Sequence, residues 1–88
     1  MAAATSVISL SATAWTKVAE AAGDVKITAD DALWAMTATD SAPTINVGGV
    51  PVGHAIESDK PMAATMVSGE YLWLRGSGFA LLTADNAV

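Results

Sequence analysis

Apolar residues recur at every second position in one short run after another, and that spacing constrains the fold of this chain more than any other feature. In VKITA, Val25, Ile27 and Ala29 alternate with Lys26 and Thr28. Successive side chains of a strand point to opposite faces, so such a run buries one set and wets the other. SVISLS (6–11) sets Ile8 and Leu10 against Val7, Ser9 and Ser11, and LWAMTA sets Trp34, Met36 and Ala38 against Leu33, Ala35 and Thr37. MAATMV alternates Met62, Ala64 and Met66 with Ala63, Thr65 and Val67. Turn-forming residues separate the runs: Asp30-Asp31, DSAP at 40–43, Gly48-Gly49, ESDKP at 57–61 and GSG at 76–78. Gly48-Gly49 supplies the positive φ angles of a two-residue hairpin turn between Thr44–Val47 and Val50–Val52. A second hairpin, EYLWLR returning as FALLTA, is predicted near the end, with DNAV (85–88) as a loose terminus. The pattern predicts an all-β domain over residues 1–88, a small antiparallel β-sandwich (jelly-roll-like) or barrel of six to eight short strands. Residues 1–12 are expected as an extended N-terminal arm. One segment departs from the alternation: Trp15, Val18, Ala19 and Ala22 stand at helical spacing before Gly23, which predicts a short helical turn over 15–22.

Length limits how such a domain can be stabilised. A chain of 88 residues buries only about 60% of the surface its unfolded form exposes. Hydrophobic residues make up 52% of it, but alanines are numerous among them, so the core is thin. No cysteine is present, which removes disulfides and thiolate metal sites as supports and leaves association with other copies as the expected substitute. The net charge is −5 with Lys17, Lys26, Lys60 and Arg75 as the cations, a balance that cannot neutralise phosphates and so excludes nucleic acid and anionic membranes as expected partners. The N-terminal stretch has no positive n-region and is broken by Thr5, Ser6, Ser9 and Ser11, so it reads as mature protein rather than a signal peptide.

Trp34 is the expected central core aromatic, with Ile27, Met36 and Leu72 around it. In GEYLWLRGSG, Tyr71, Trp73 and Arg75 share one face and Leu72 and Leu74 the other. A strand apolar on both sides is covered on both sides, so Tyr71, Trp73, Leu74 and Arg75, with Ile8 and Leu10, are the predicted interface residues, Arg75 reaching a neighbour's carboxylate. The alternative is a stacking platform for a glycan. His54, the single histidine, has no nucleophile elbow or relay frame around it. Asp24, Asp30, Asp31 and Asp40 lack calcium-loop spacing. VGGVPVG has no G-K-[ST] ending. No catalytic residue, cofactor or metal is predicted.

The order of phrases SATAWTKVA, VKIT, LWAMTATDSAPT and GHAIESDKPMAATMVSGEYLWLRGSG resembles small virion structural proteins of tailed bacteriophages. In these a serine- and threonine-rich start and a T-x-W-T-x-V phrase, here Thr13 to Val18, precede a V-R-V-like strand, and a G-x-x-L-W-x-R-x-x-G segment, here Gly69 to Gly78, closes the pattern. TINVGGVPVG (44–53) is longer than the connection in that pattern. The resemblance implies a non-enzymatic β-sandwich made in the host cytoplasm and carried on the virion. It favours a capsid decoration or cement protein that forms homo-oligomers, expected as trimers, and bridges major capsid proteins. A tail tip, fibre or spike component contacting tail proteins or a host glycan is the alternative.

Overall fold

A computed structural model describes residues 3–88 of the chain. Ten strands follow in order: β1 Ala4–Ser9, β2 Thr16–Glu20, β3 Gly23–Ala29, β4 Asp31–Thr37, β5 Asn46–Val47, β6 Val50–Pro51, β7 His54–Glu57, β8 Met62–Met66, β9 Tyr71–Gly76 and β10 Phe79–Ala84. The first sheet has the order β1-β10-β3-β8, the second β2-β9-β4-β7, and β5-β6 forms a separate hairpin. β1 pairs with β10, β2 with β9, β3 with β8 and β4 with β7, all antiparallel. The chain is therefore one long hairpin, with β5-β6 near its tip, rolled up so that β10 also meets β3 and β9 also meets β4. Two four-stranded sheets built this way form a jelly roll.

The alternation places the core. Val25, Ile27 and Ala29 of β3, Met62 and Met66 of β8, and Ala80, Leu82 and Ala84 of β10 point inward from the first sheet, and Ala32, Ile56, Leu72 and Leu74 meet them from the second. Ile27 and Leu72 are fully buried as expected, whereas Trp34 and Met36 are half-buried at the margin of the core. Alanine recurs among these inward residues, so each layer is shallow and the larger side chains, Ile27, Ile56, Met66, Leu72, Leu74 and Leu82, carry most of the buried apolar surface.

The structure corrects three local expectations. Residues 15–22 hold no helical turn; Thr16–Glu20 is strand β2. Its register with β9 shifts between Lys17 and Ala19, and both Val18 and Ala19 are buried in the core. A bulge puts neighbouring residues on one face, which imitates helical spacing in the sequence. A helix of about ten residues is also marginal by propensity alone. The left-handed position at the end of the segment is Ala21, at φ 69°, and not Gly23, which begins β3 where a Cβ would collide with Asp85 and Asn86.

β9 and β10 occupy their predicted spans but are not a hairpin, since they belong to opposite sheets. Apart from the excursion through β5-β6, every connection along the chain from β1 to β10, except that from β4 to β7, passes from one sheet to the other. Gly76 allows the β9–β10 crossing because a Cβ there would stand 2.6 Å from the Asp31 carbonyl oxygen.

The C-terminal DNAV is no loose end. Val88 N–H donates to the Val18 carbonyl and Glu20 N–H to the Asn86 carbonyl, each at 3.2 Å, and the Asp85 carboxylate accepts the Asp24 N–H at 3.0 Å. The tail thus lies along the free edge of β2. Of the expected N-terminal arm, residues 4–9 are edge strand β1, and residues 1–2 lie outside the described residues. The β5-β6 hairpin has the expected turn, with Gly48 at φ 59° and Gly49 at φ 81°.

Candidate functional site

Three surfaces gather the chemistry of the molecule. The first is the outer face of the second sheet. Lys17 of β2, Trp73 of β9 and Ala35 of β4 stand side by side in register, flanked by Tyr71, Arg75, Leu33 and Thr37. Trp73 donates its indole N–H to Thr37 Oγ1 at 2.8 Å and keeps only 8% of its surface exposed. The Arg75 guanidinium stacks 5.9 Å from the centre of the Trp15 ring, and Lys17 Nζ sits 5.6 Å from that of Tyr71. A cation over an aromatic face is attracted by the negative face of the ring. Lys17 Nζ also donates to Asp40 at 2.8 Å and lies 3.7 Å from Glu20. The hydrogen bond to Asp40 holds its ammonium above the usual lysine pKa, the charges of Asp40 and Glu20 adding to it against a smaller opposing effect of desolvation.

This arrangement spends the polar and aromatic groups of the predicted row on contacts within the chain. Tyr71 and Arg75 are half-buried under or over their own partners, and the ring of Trp73 is covered without a neighbouring subunit. Leu74, expected at an interface, is instead fully buried in the core, because it shares the inner face with Leu72. Ile8 and Leu10, also expected at an interface, are half-buried and pack against the same core.

A second surface is the outer face of the first sheet. Val7 of β1 stands opposite Leu81 of β10, and Ser9 opposite Phe79. Val7 is 63%, Phe79 68% and Leu81 47% exposed, so three large apolar side chains lie side by side in water. The sequence signal was FALLTA, apolar on both faces; the alternation alone does not say whether Ala80 and Leu82 or Phe79 and Leu81 turn inward. The core admits the set with the small alanines.

The third surface surrounds the β5-β6 hairpin. Ile45, Val47 and Val50 are half or more exposed, and between the hairpin and the second sheet lies a cleft of about 440 Å³ lined by Trp34, Met36, Ile45, Val52 and His54. The His54 ring lies 4.6 Å from that of Trp34, tilted by 32°. Gly53 lets the chain pass there, since a Cβ would meet the Trp34 carbonyl at 2.9 Å and Trp15 Cη2 at 3.1 Å. The lining is apolar and contains no nucleophile–base pair.

The acidic residues disperse. Asp24 accepts from the Thr65 hydroxyl, Asp40 from Lys17, and no group of three or more metal-ligating side chains occurs among the described residues. No protein family, curated protein or solved structure matches the chain.

Proposed function

We propose that this chain is a non-enzymatic structural protein of a tailed-bacteriophage virion, a capsid decoration or cement protein that associates with copies of itself and bridges capsid subunits. The observation that carries the reading is the clustering of exposed apolar side chains: Val7, Phe79 and Leu81 on one face, Ile45, Val47 and Val50 on the hairpin. Exposed apolar side chains that stand together mark contact surfaces, and here Val7 stands opposite Leu81 and Val47 opposite Val50. Here they are borne by a fold whose core is already closed, so they are free to serve association. The phrases from Thr13 to Val18 and from Gly69 to Gly78 support placing that association on a virus particle.

Purified virions from cells that make the chain provide the test. Reconstruction of the particle is expected to show its density at repeated positions on the head shell. Density at the tail would replace decoration with a tail role, and absence of the chain from purified particles would overturn the reading.

A further inference from the structure

We propose that the exposed edge of β1 is the self-association site, and that two copies join there as an antiparallel β1–β1 pair about a two-fold axis at Val7. The proposal rests on the reading that the chain associates with itself; what it adds is the strand, the register and the symmetry.

The four sheet edges differ in how they are protected. A free edge exposes unpaired N–H and C=O groups, and proteins blunt it with charge, proline, bulges, shortness or a covering segment. β2 carries a bulge and is covered by the C-terminal tail. β7 has four residues and ends at Glu57, which pairs with Lys60 across a turn. β8 follows Pro61 and the charged pair Asp59-Lys60. β1, ATSVIS, has no charge, proline, glycine or bulge, and keeps an unbroken six-residue register with β10.

The direction of its free groups follows from one bond. Leu10 N–H donates to the Gly78 carbonyl at 2.9 Å, which makes Leu10 and Gly78 a hydrogen-bonded pair in the β1·β10 register. Antiparallel pairs alternate, so Ile8, Ser6 and Ala4 also turn their backbone groups toward β10, while Thr5, Val7 and Ser9 turn theirs outward. Those three residues are symmetric about Val7. A second β1 placed antiparallel brings Val7 opposite the partner's Val7 and Thr5 opposite the partner's Ser9, each pair exchanging both backbone bonds.

Side chains fit the same axis. Val7 and Leu81 lie in one row of the outer face, so the two-fold makes a continuous apolar row of Leu81, Val7, the partner's Val7 and the partner's Leu81, with Phe79 beside it on each side. The arrangement of the free groups about Val7 matches a second copy as the occupant, and charge permits it. Each chain carries −5, and copies with like net charge approach at least cost where neither presents a charge. Neither β1 nor β10 contains a charged residue.

Light scattering at micromolar concentration on the full chain and two variants tests this. The wild type is expected to show twice the 8.9 kDa chain mass. Val7→Lys, at a side chain 63% exposed, is expected to return to a single-chain mass with an unchanged circular dichroism spectrum. Val47→Lys on the hairpin is expected to remain a dimer. A wild-type chain that is monomeric overturns both this proposal and self-association. An oligomer that survives Val7→Lys and is lost in Val47→Lys overturns the site while self-association stands. A trimer lost in Val7→Lys overturns the two-fold pairing. As a second readout, Val7→Cys introduces the only cysteine, and Cα atoms of a hydrogen-bonded antiparallel pair lie about 5.5 Å apart, close enough for a short bis-maleimide to bridge the two thiols. It is expected to cross-link as a dimer with that reagent, whereas Val67→Cys, also exposed, is not.

Discussion

The inner faces of both sheets pack into one core, but their outer faces differ in kind. On the second sheet Trp73 and Ala35 are buried at 8% and 5% exposure, and Tyr71, Arg75, Lys17, Leu33 and Thr37 are half-buried around them. On the first, Phe79, Val7 and Leu81 stand in water at 68%, 63% and 47%. The edges follow the faces: the second sheet has its β2 edge covered by the chain's own tail, while among the described residues β1 is an edge with no strand beyond it. Composition alone does not distinguish the two faces, since both contain large apolar residues. The difference lies in partners. Trp73 finds Thr37, Tyr71 finds Lys17 and Arg75 finds Trp15 within the chain, whereas among the described residues no such partner covers Phe79.

Truncation tests this contrast most strongly. Trp73→Ala is expected to cost about 3–5 kcal/mol in denaturant unfolding, as deletion of a buried large aromatic does, while Leu81→Ala on the open face stays within about 0.5 kcal/mol. A Trp73→Ala protein as stable as the wild type would mean that the outer layer of the second sheet is as dispensable as that of the first. Gly76→Ala comes next. Its Cβ would press on the Asp31 carbonyl and the Ala32 backbone, an overpacking expected to lower stability by about 1–3 kcal/mol, readable as a lower melting temperature.

The covered edge can be opened directly. Deleting residues 86–88 removes the acceptor of the Glu20 amide and the donor to the Val18 carbonyl, each a bond worth about 0.5–1.5 kcal/mol net. Hydrogen exchange at Glu20 is expected to accelerate, and unchanged protection would deny the tail its covering role. The smallest effect is expected at Lys17. Its pKa is raised in the folded chain by Asp40, so its stabilising contribution is complete below the unfolded value near 10.5 and declines as pH rises through the higher folded value. Comparing Lys17→Met with the wild type across pH 9–12 should show their difference shrinking only at the alkaline end. A difference that shrinks already below pH 9 would place the titration elsewhere.

Much of the strand layout was legible in the residues. VKITA, LWAMTA and MAATMV became β3, β4 and β8, with Val25, Ile27 and Ala29 inward as expected, and Gly48-Gly49 made the expected turn. The candidate surfaces were less legible. Ile8 and Leu10, expected at an interface, are half-buried against the core, while the exposed set on the neighbouring face is Val7, Phe79 and Leu81, because a two-sided apolar run gives no sign of which face meets the core. The same ambiguity in the two-sided run YLWL covers Leu74, which turns into the core. The aromatic row is covered, as a strand apolar on both sides predicts, but its partners are Lys17, Thr37 and Trp15 of the same chain.

By itself the sequence determined that this protein is built of short antiparallel strands, since period-two alternation and turn chemistry act over a few neighbouring residues. Tertiary structure alone decided which strands meet. β9 and β10 are neighbours in sequence yet lie in opposite sheets, and Asn86 and Val88 close an edge begun at Thr16. Those pairings join residues far apart along the chain, where hydrogen bonding and burial across the sandwich outweigh the local preference for a hairpin, a helical turn or a free end.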